Sequence, residues 1–160
     1  MTIKFEQLQS RFNSLIKEQQ ELRAEFQTKT QAVFKESLKI FFDMNPGVSA
    51  LKWVQYTPYF NDGDPCVFSV YDVYFTNAEG NELENVSVWG EYEGEDENIW
   101  VEYYKEALRD KEGVCASSCA FISNMIQSSE MVDIMEEMFG DHVCVTVTRS
   151  GIDVDNYIHD

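Results

Sequence analysis

Residues 4–43 contain neither proline nor glycine and are built mostly from Gln, Glu, Lys, Leu and Phe. No position in that stretch forces a helix to stop, and most of its residues favour one. Apolar residues recur at Phe5, Leu8, Phe12, Leu15, Leu22 and Phe26. With Phe5 as heptad position a, the a column reads Phe5, Phe12, Gln19, Phe26, Val33 and Ile40. The d column holds Leu8, Leu15 and Leu22, but Lys29, Glu36 and Asp43 follow. The strict heptad therefore fails after Phe26, and the stripe shifts to Val33, Phe34, Leu38, Phe41 and Phe42. The first part suits a coiled-coil seam, and the wider later face suits docking on a globular body.

A helix of about 40 residues spans roughly 60 Å at 1.5 Å per residue, more than the width of a domain of this size. An apolar stripe along such a length needs a partner. The expectation is self-association, as a dimer first, through Phe5, Leu8, Phe12, Leu15, Leu22 and Phe26, with Gln19 helping to set register. The competing reading is a helix folded back on its own chain. Asn45-Pro46-Gly47 is the expected stop, because a residue before proline avoids the α region. The chain thus divides into a helical arm, 1–45, and an acidic α+β body, 46–160.

Charge separates the same two parts. Residues 1–43 hold six acids and seven bases, a net of +1, and residues 44–160 hold 23 acids and five bases, a net of −18. From Glu79 to Tyr104 there are nine acids and no base. Such a body repels bare nucleic acid and anionic membrane and favours a basic partner. Neither a leader-like apolar segment nor a membrane span is expected. Four cysteines are too few and too unevenly spaced for a secreted disulfide framework. The expected setting is a reduced, intracellular one.

In the body the period changes. Leu51, Trp53 and Gln55 alternate with Lys52, Val54 and Tyr56, a strand. Asn61-Asp62-Gly63-Asp64-Pro65 is a turn, Cys66–Thr76 is apolar on both faces and reads as a central strand, and Glu79-Gly80-Asn81 is a second turn. A third strand is expected around Val86, Val88 and Trp89, completing a meander. Trp100, Tyr103, Tyr104, Ala107 and Leu108 fit a helix. Phe121–Phe139 fits another, breakable at Ser128-Ser129. Val143, Val145 and Val147 alternate with Cys144, Thr146 and Thr148, and Arg149-Ser150-Gly151 turns into a last strand carrying Asp153 and Asp155 on one face. The expectation is an α+β fold: a long N-terminal helix, then an antiparallel sheet of about five strands with two or three helices on one face.

Signals for chemistry are weak. Cys115 and Cys119 share a helix face and could join Cys144, Cys66 or His142 around zinc, but only one pair has suitable spacing, and buried free cysteines are common. Asn61-Asp62-Gly63-Asp64 begins like a calcium loop, then runs into Pro65-Cys66-Val67 in place of further ligands. His142 and His159 are the only histidines. No nucleophile elbow, P-loop or G-x-G-x-x-G occurs. Met125, Met131, Met135 and Met138 read as core more readily than as an adaptable groove. No enzyme, cofactor or metal is expected.

The acids are the functional signal. Glu91, Glu93 and Glu95 on a strand project from one face about 6.6–6.8 Å apart, against one phosphate per about 3.4 Å along a nucleic-acid strand. Glu82 and Glu84 repeat the spacing, as do Asp153 and Asp155, and Asp96 and Glu97 extend the first run. These nine residues are the expected partner-binding set, acting as phosphate surrogates toward a basic, nucleic-acid-binding protein. The competing account is charge kept only for solubility.

The segment from Trp53 to Cys66 (WVQYTPYFNDGDPC), the segment from Phe139 to Ile152 (FGDHVCVTVTRSGI) and the ending His159-Asp160 resemble a group of small acidic proteins encoded by tailed bacteriophages. Together they cover about a fifth of the chain. The resemblance implies a viral origin and expression in a bacterial cytoplasm, and supplies no catalytic residues. By analogy of class it implies a host-takeover or anti-defence factor. The resulting expectation is a non-enzymatic nucleic-acid mimic that inhibits its partner. The alternatives are an assembly protein acting through its coiled-coil helix and a small metal-dependent enzyme.

Overall fold

The structure is a computed structural model and describes residues 2–83 and 113–159. Two compact units emerge, Met1–Glu36 and Ser37–Asp160. The boundary falls inside the helix, so its last turns group with the body, whereas the arm was expected to reach residue 45. Helix α1 runs unbroken over Thr2–Met44, as a stretch without proline or glycine allows. In the first unit every side chain from Lys4 to Phe26 is exposed. Lys17–Glu21 at 3.8 Å and Lys29–Glu25 at 2.6 Å are i,i+4 ion pairs along its surface. Such pairs add only about 0.3–0.5 kcal/mol each.

The second unit is α+β. It contains β1 (Ala50–Tyr56), β2 (Ser69–Thr76), α2 (Ala116–Ile126), α3 (Val132–Phe139), β3 (Val143–Thr148) and β4 (Gly151–Asn156). The four strands form one antiparallel sheet in the order β2-β1-β3-β4. The described residues thus hold four strands where about five were expected. The expected strand through Val86, Val88 and Trp89 and the expected helix through Trp100–Leu108 lie outside them. Of the expected meander, β1 and β2 do pair, and Thr76 of β2 makes a further antiparallel bridge to Glu82; in addition β1 takes β3 on its other side. The expected strand Cys66–Thr76 is shorter than read, because β2 starts only at Ser69 and residues 61–67 are exposed.

Alternation dictates the layers. Leu51, Trp53 and Gln55 of β1 and Val143, Val145 and Val147 of β3 are all buried on one face. That face meets α3 through a Trp53–Phe139 edge contact at 5.6 Å, and meets the end of α1 through Phe41 and Phe75, also at 5.6 Å. The helical stretch breaks after Ile126 as expected, with Ser128 Oγ donating to the Met125 carbonyl. Met131 and Met135 enter the core. Asp72 and Val73 both lie opposite Trp53, a β-bulge with Asp72 at φ 52. The extra residue keeps Val73 buried while the sheet twists.

One polar knot joins three elements. Asn45, fully buried at the end of α1, donates to the Phe41 carbonyl and to Ser118 Oγ, and accepts the Cys115 N–H at 2.7 Å. Arg149, in the β3–β4 turn, donates to the carbonyls of Val48, Phe42 and Asn45 at 2.7, 3.0 and 2.8 Å, and lies over the Phe42 ring. A helix C-terminus carries unpaired carbonyls and partial negative charge, and a guanidinium answers both. Beside it the Gly113 carbonyl accepts the Gly47 N–H at 2.7 Å. Gly113 takes φ 72, and a Cβ there would stand 2.8 Å from Gly47 N. Arg149→Ala is expected to lower unfolding free energy by about 1–3 kcal/mol, the cost of losing hydrogen bonds made by a charged donor. Arg149→Lys should recover less than half, since a point charge cannot span three acceptors. Urea denaturation at neutral pH checks both.

Candidate functional site on the open face of the sheet

The face opposite the helices is where the described candidates gather. Along β4 and the residues after it, Asp153, Asp155, Tyr157 and His159 follow one another at every second position. Strand geometry sends the first two to the same side. Pairing sets Asp153 beside Thr146 and Asp155 beside Cys144 on β3, with Lys52 and Val54 of β1 next in those rows. Both aspartates are exposed. Glu82 is exposed too, bridged to Thr76 just after the Asn77–Asn81 turn. Glu84, Glu91, Glu93, Glu95, Asp96 and Glu97 lie outside the described residues.

Beyond Asp155 the face becomes aromatic. Tyr56 stacks on Tyr71 with ring centroids 4.5 Å apart, and the His159 ring lies 3.9 Å from Tyr56. Tyr59 stacks on both His142, at 4.9 Å, and His159, at 4.6 Å. His142 Nδ1 and His159 Nε2 stand 3.0 Å apart, and the Tyr157 N–H donates to the His142 carbonyl. A hydrogen bond between two ring nitrogens needs a proton on one and a lone pair on the other. Burial raises the Tyr56 hydroxyl pKa, and the neighbouring Tyr71, Tyr157 and Asp72 raise it further. Burial does the same for Tyr74, followed by Cys144, Glu82 and Asp72. Glu82 and Asp72 thus lie within electrostatic reach of the Tyr74 hydroxyl.

Asp141 fixes the position of this cluster. Its carboxylate accepts the Thr57 N–H and Oγ1–H, each at 2.7 Å, and the N–H of His142 at 2.8 Å. That clamp ties the end of β1 to the loop entering β3, where His142 takes φ 55. Behind it, fully buried Gln55 donates to the carbonyls of Met135 and Gly140 and accepts the Trp53 indole N–H. Burial by itself would raise the Asp141 pKa. The hydrogen bonds from Thr57 and His142, with the nearby imidazole, outweigh it and hold the carboxyl below its ordinary 3.8.

Elsewhere the candidates disperse. Cys119 is buried and donates weakly to Asn45 Oδ1, Cys115 precedes α2, Cys66 is exposed and Cys144 is on the open face. Among the described residues no group of three His, Cys, Asp or Glu is placed to hold a metal. Asn61–Asp64 is a tight turn closed by Asp64 N–H to the Asn61 carbonyl, with φ 40 at Asp62 and 91 at Gly63. Two positive φ values in succession mark type I′ geometry. Among the described residues no helix is long and apolar enough to cross a membrane. The six arm residues Phe5, Leu8, Phe12, Leu15, Leu22 and Phe26 are all exposed, at 60% to 66%.

The tyrosine–histidine cluster was not anticipated from sequence. His142 and His159 are 17 residues apart, and nothing in their spacing shows that a hairpin brings them together. The signal that could have found it is the alternation Asp153-Asp155-Tyr157-His159 carried past the end of the strand. No protein-family model, curated protein or solved structure matches this chain.

Because the folded-state pKa of Asp141 is depressed, its stabilising contribution is complete above the unfolded value near 3.8 and is lost as pH falls through the folded value. Asp141→Ala is expected to cost about 1–3 kcal/mol at neutral pH. Hydrogen bonds set that figure, since solvent screens charge at a site this open. Asp141→Asn, which keeps an acceptor for the main-chain donors, should cost less. Urea unfolding at pH 7 and in acid should show the wild-type advantage over Asp141→Ala shrinking below about pH 4.

Proposed function

We propose that this chain is a non-enzymatic acidic protein that occupies a basic, nucleic-acid-binding surface of a host protein, in the manner of a nucleic-acid mimic. A bacteriophage origin and an anti-defence role belong to the same proposal. So do a cytoplasmic setting, a homo-oligomeric state and a fifth strand in the sheet. The observation that carries the reading is the pairing of exposed acids with a nearly base-free body. Across residues 44–83 and 113–159 there are five plus seven, twelve acids, against Lys52 and Arg149 alone. All but Asp141 of those acids are exposed, and Arg149 is already directed at three carbonyls.

The open face adds chemistry suited to arginine. Carboxylates accept a guanidinium through charge-assisted hydrogen bonds, and tyrosine faces attract one through cation–π contact. Asp153 and Asp155 stand about 6.6–6.8 Å apart by strand geometry, and Tyr157, whose ring lies 5.5 Å from that of Tyr56, follows two residues after Asp155. Association driven this way is steep in salt, because the Debye length is only about 8 Å at physiological ionic strength.

A second reading, an assembly protein working through α1, is favoured by the exposed apolar stripe. No comparable observation favours a metal-dependent enzyme.

Capture of partners from a bacterial lysate across a salt series is the direct test. Asp153→Lys with Asp155→Lys, and separately Glu91, Glu93 and Glu95 all to Lys, should abolish capture of basic proteins while circular dichroism stays unchanged. Retained capture by both variants overturns the proposal. Removing residues 1–26 separates the readings: it should weaken avidity under the mimic reading and destroy activity under the assembly reading.

A further inference from the structure

We infer that the exposed stripe of α1 pairs with the same stripe of a second copy in antiparallel orientation, centred between Phe12 and Leu15. The inference deepens the homo-oligomer part of the proposed function and rests on it, but not on the acidic-mimic reading. Two independent features of the helix carry it, one of size and one of charge.

The seam is lopsided in size. Among its a positions are Phe5, Phe12 and Phe26, and its d positions are Leu8, Leu15 and Leu22. Parallel pairing stacks a on a and d on d, so phenylalanine would meet phenylalanine in some layers and leucine would meet leucine in the others. The spacing between helices would then have to widen and narrow along the seam. Antiparallel pairing sets each a against a d. Phe5 meets Leu22 of the second copy and Phe12 meets Leu15, so every such layer holds one large and one medium side chain. Facing positions that alternate in size pack at even density. The β-branched a residues that favour parallel dimers are absent from this stretch.

Charge selects the same register. The g positions flanking the seam are Lys4, Arg11, Glu18 and Glu25, two bases and then two acids. In an antiparallel pair g faces g, and the Phe12–Leu15 register sets Arg11 against Glu18 of the second copy and Lys4 against Glu25. Symmetry makes each contact occur twice, giving four opposite-charge pairs and no like-charge pair. A parallel pair sets each g against an e one heptad on: Lys4–Gln9, Arg11–Ile16, Glu18–Arg23 and Glu25–Thr30. Only Glu18–Arg23 is attractive, and it occurs twice. Glu25 already meets Lys29 on its own helix at 2.6 Å, so the inner Arg11–Glu18 pair holds the register. Gln19 is the one feature pointing the other way, since parallel pairing sets it beside its own copy. In the antiparallel seam it lies opposite Leu8, where its long side chain can reach water.

The experiment uses the full-length chain under reducing conditions, with mass followed by sedimentation against concentration at low and high salt. The wild type should dimerise. Arg11→Glu puts a carboxylate opposite Glu18 at both symmetric positions and should weaken the dimer roughly tenfold at low salt, given the size of exposed charge-pair energies. The effect should fade at high salt. Arg11→Glu with Glu18→Arg restores attraction in the antiparallel seam and should return wild-type affinity. In a parallel seam the outcomes reverse. Arg11→Glu then leaves the dimer unchanged, and the double variant turns the Glu18–Arg23 attraction into a clash of two guanidinium groups and weakens it. That reversal overturns the orientation while sparing self-association. A wild type that stays monomeric at every concentration overturns both.

Discussion

A guanidinium holds the body together at the place where the long helix ends. Three carbonyls, of Phe42, Asn45 and Val48, converge where α1 gives way to β1; the first two accept one main-chain N–H each, from Asn45 at 3.3 Å and from Val48 at 3.0 Å, and a carbonyl oxygen has a second lone pair for a further donor. Arg149 supplies N–H groups to all three from a turn more than a hundred residues later. Asn45 completes the junction by reaching the Phe41 carbonyl, Ser118 and the N–H of Cys115. The end of helix α1, helix α2 and the β3–β4 hairpin are therefore fixed by one connected polar group, much of it buried. Without it each element would present unsatisfied main-chain groups to the core. Those losses are of the size of about one or two kcal/mol each, a large part of the net stability of a domain.

That junction also limits the charge available to neutralise the body. Across the described residues after position 43, Arg149 and Lys52 are the only lysines or arginines. Using one of them structurally leaves a dozen carboxylates with little of opposite sign nearby. The acidic field follows from where the bases were placed as much as from the number of acids. Desolvation and hydrogen bonding then sort the acids. Asp141, with three donors, is bound into the fold, whereas Asp153 and Asp155 stand exposed at the strand edge.

What the sequence disclosed follows from which features are local. The long helix, its stop at Asn45-Pro46, the turn at Asn61–Asp64, the break at Ser128-Ser129 and the β3–β4 hairpin each rest on contiguous residues, and all are present. The sheet order was not legible, because Leu51, Trp53 and Gln55 alternate in the same way whether β1 lies at an edge or between β2 and β3. The bulge at Asp72 was hidden for a similar reason: one inserted residue leaves the apolar pattern of β2 nearly intact. Arg149 read as a turn residue, since its three acceptors are brought to it only by the tertiary fold. The tyrosine–histidine cluster needed the register of β3 against β4 before Tyr157 and His159 could be placed near Tyr56. Of the nine acids singled out, Glu82, Asp153 and Asp155 have a described setting, and the last two do share one face.

The division of charge between arm and body bears on how the two parts can coexist in the proposed dimer. Two bodies of net −18 repel, and that repulsion weakens as salt is added. Charge pairs across a helical seam weaken with salt as well, but their loss loosens the dimer, whereas relief of body repulsion tightens it. A nearly neutral arm lets two copies approach without adding to the unfavourable term, and an apolar seam of phenylalanine and leucine is insensitive to ionic strength to first order. In the proposed dimer the apolar layers therefore supply most of the association, with charge deciding orientation. Under that proposal, segregating the sequence in this way allows the body to become strongly negative without forfeiting self-association, which a uniform spread of the same acids over residues 1–43 would oppose.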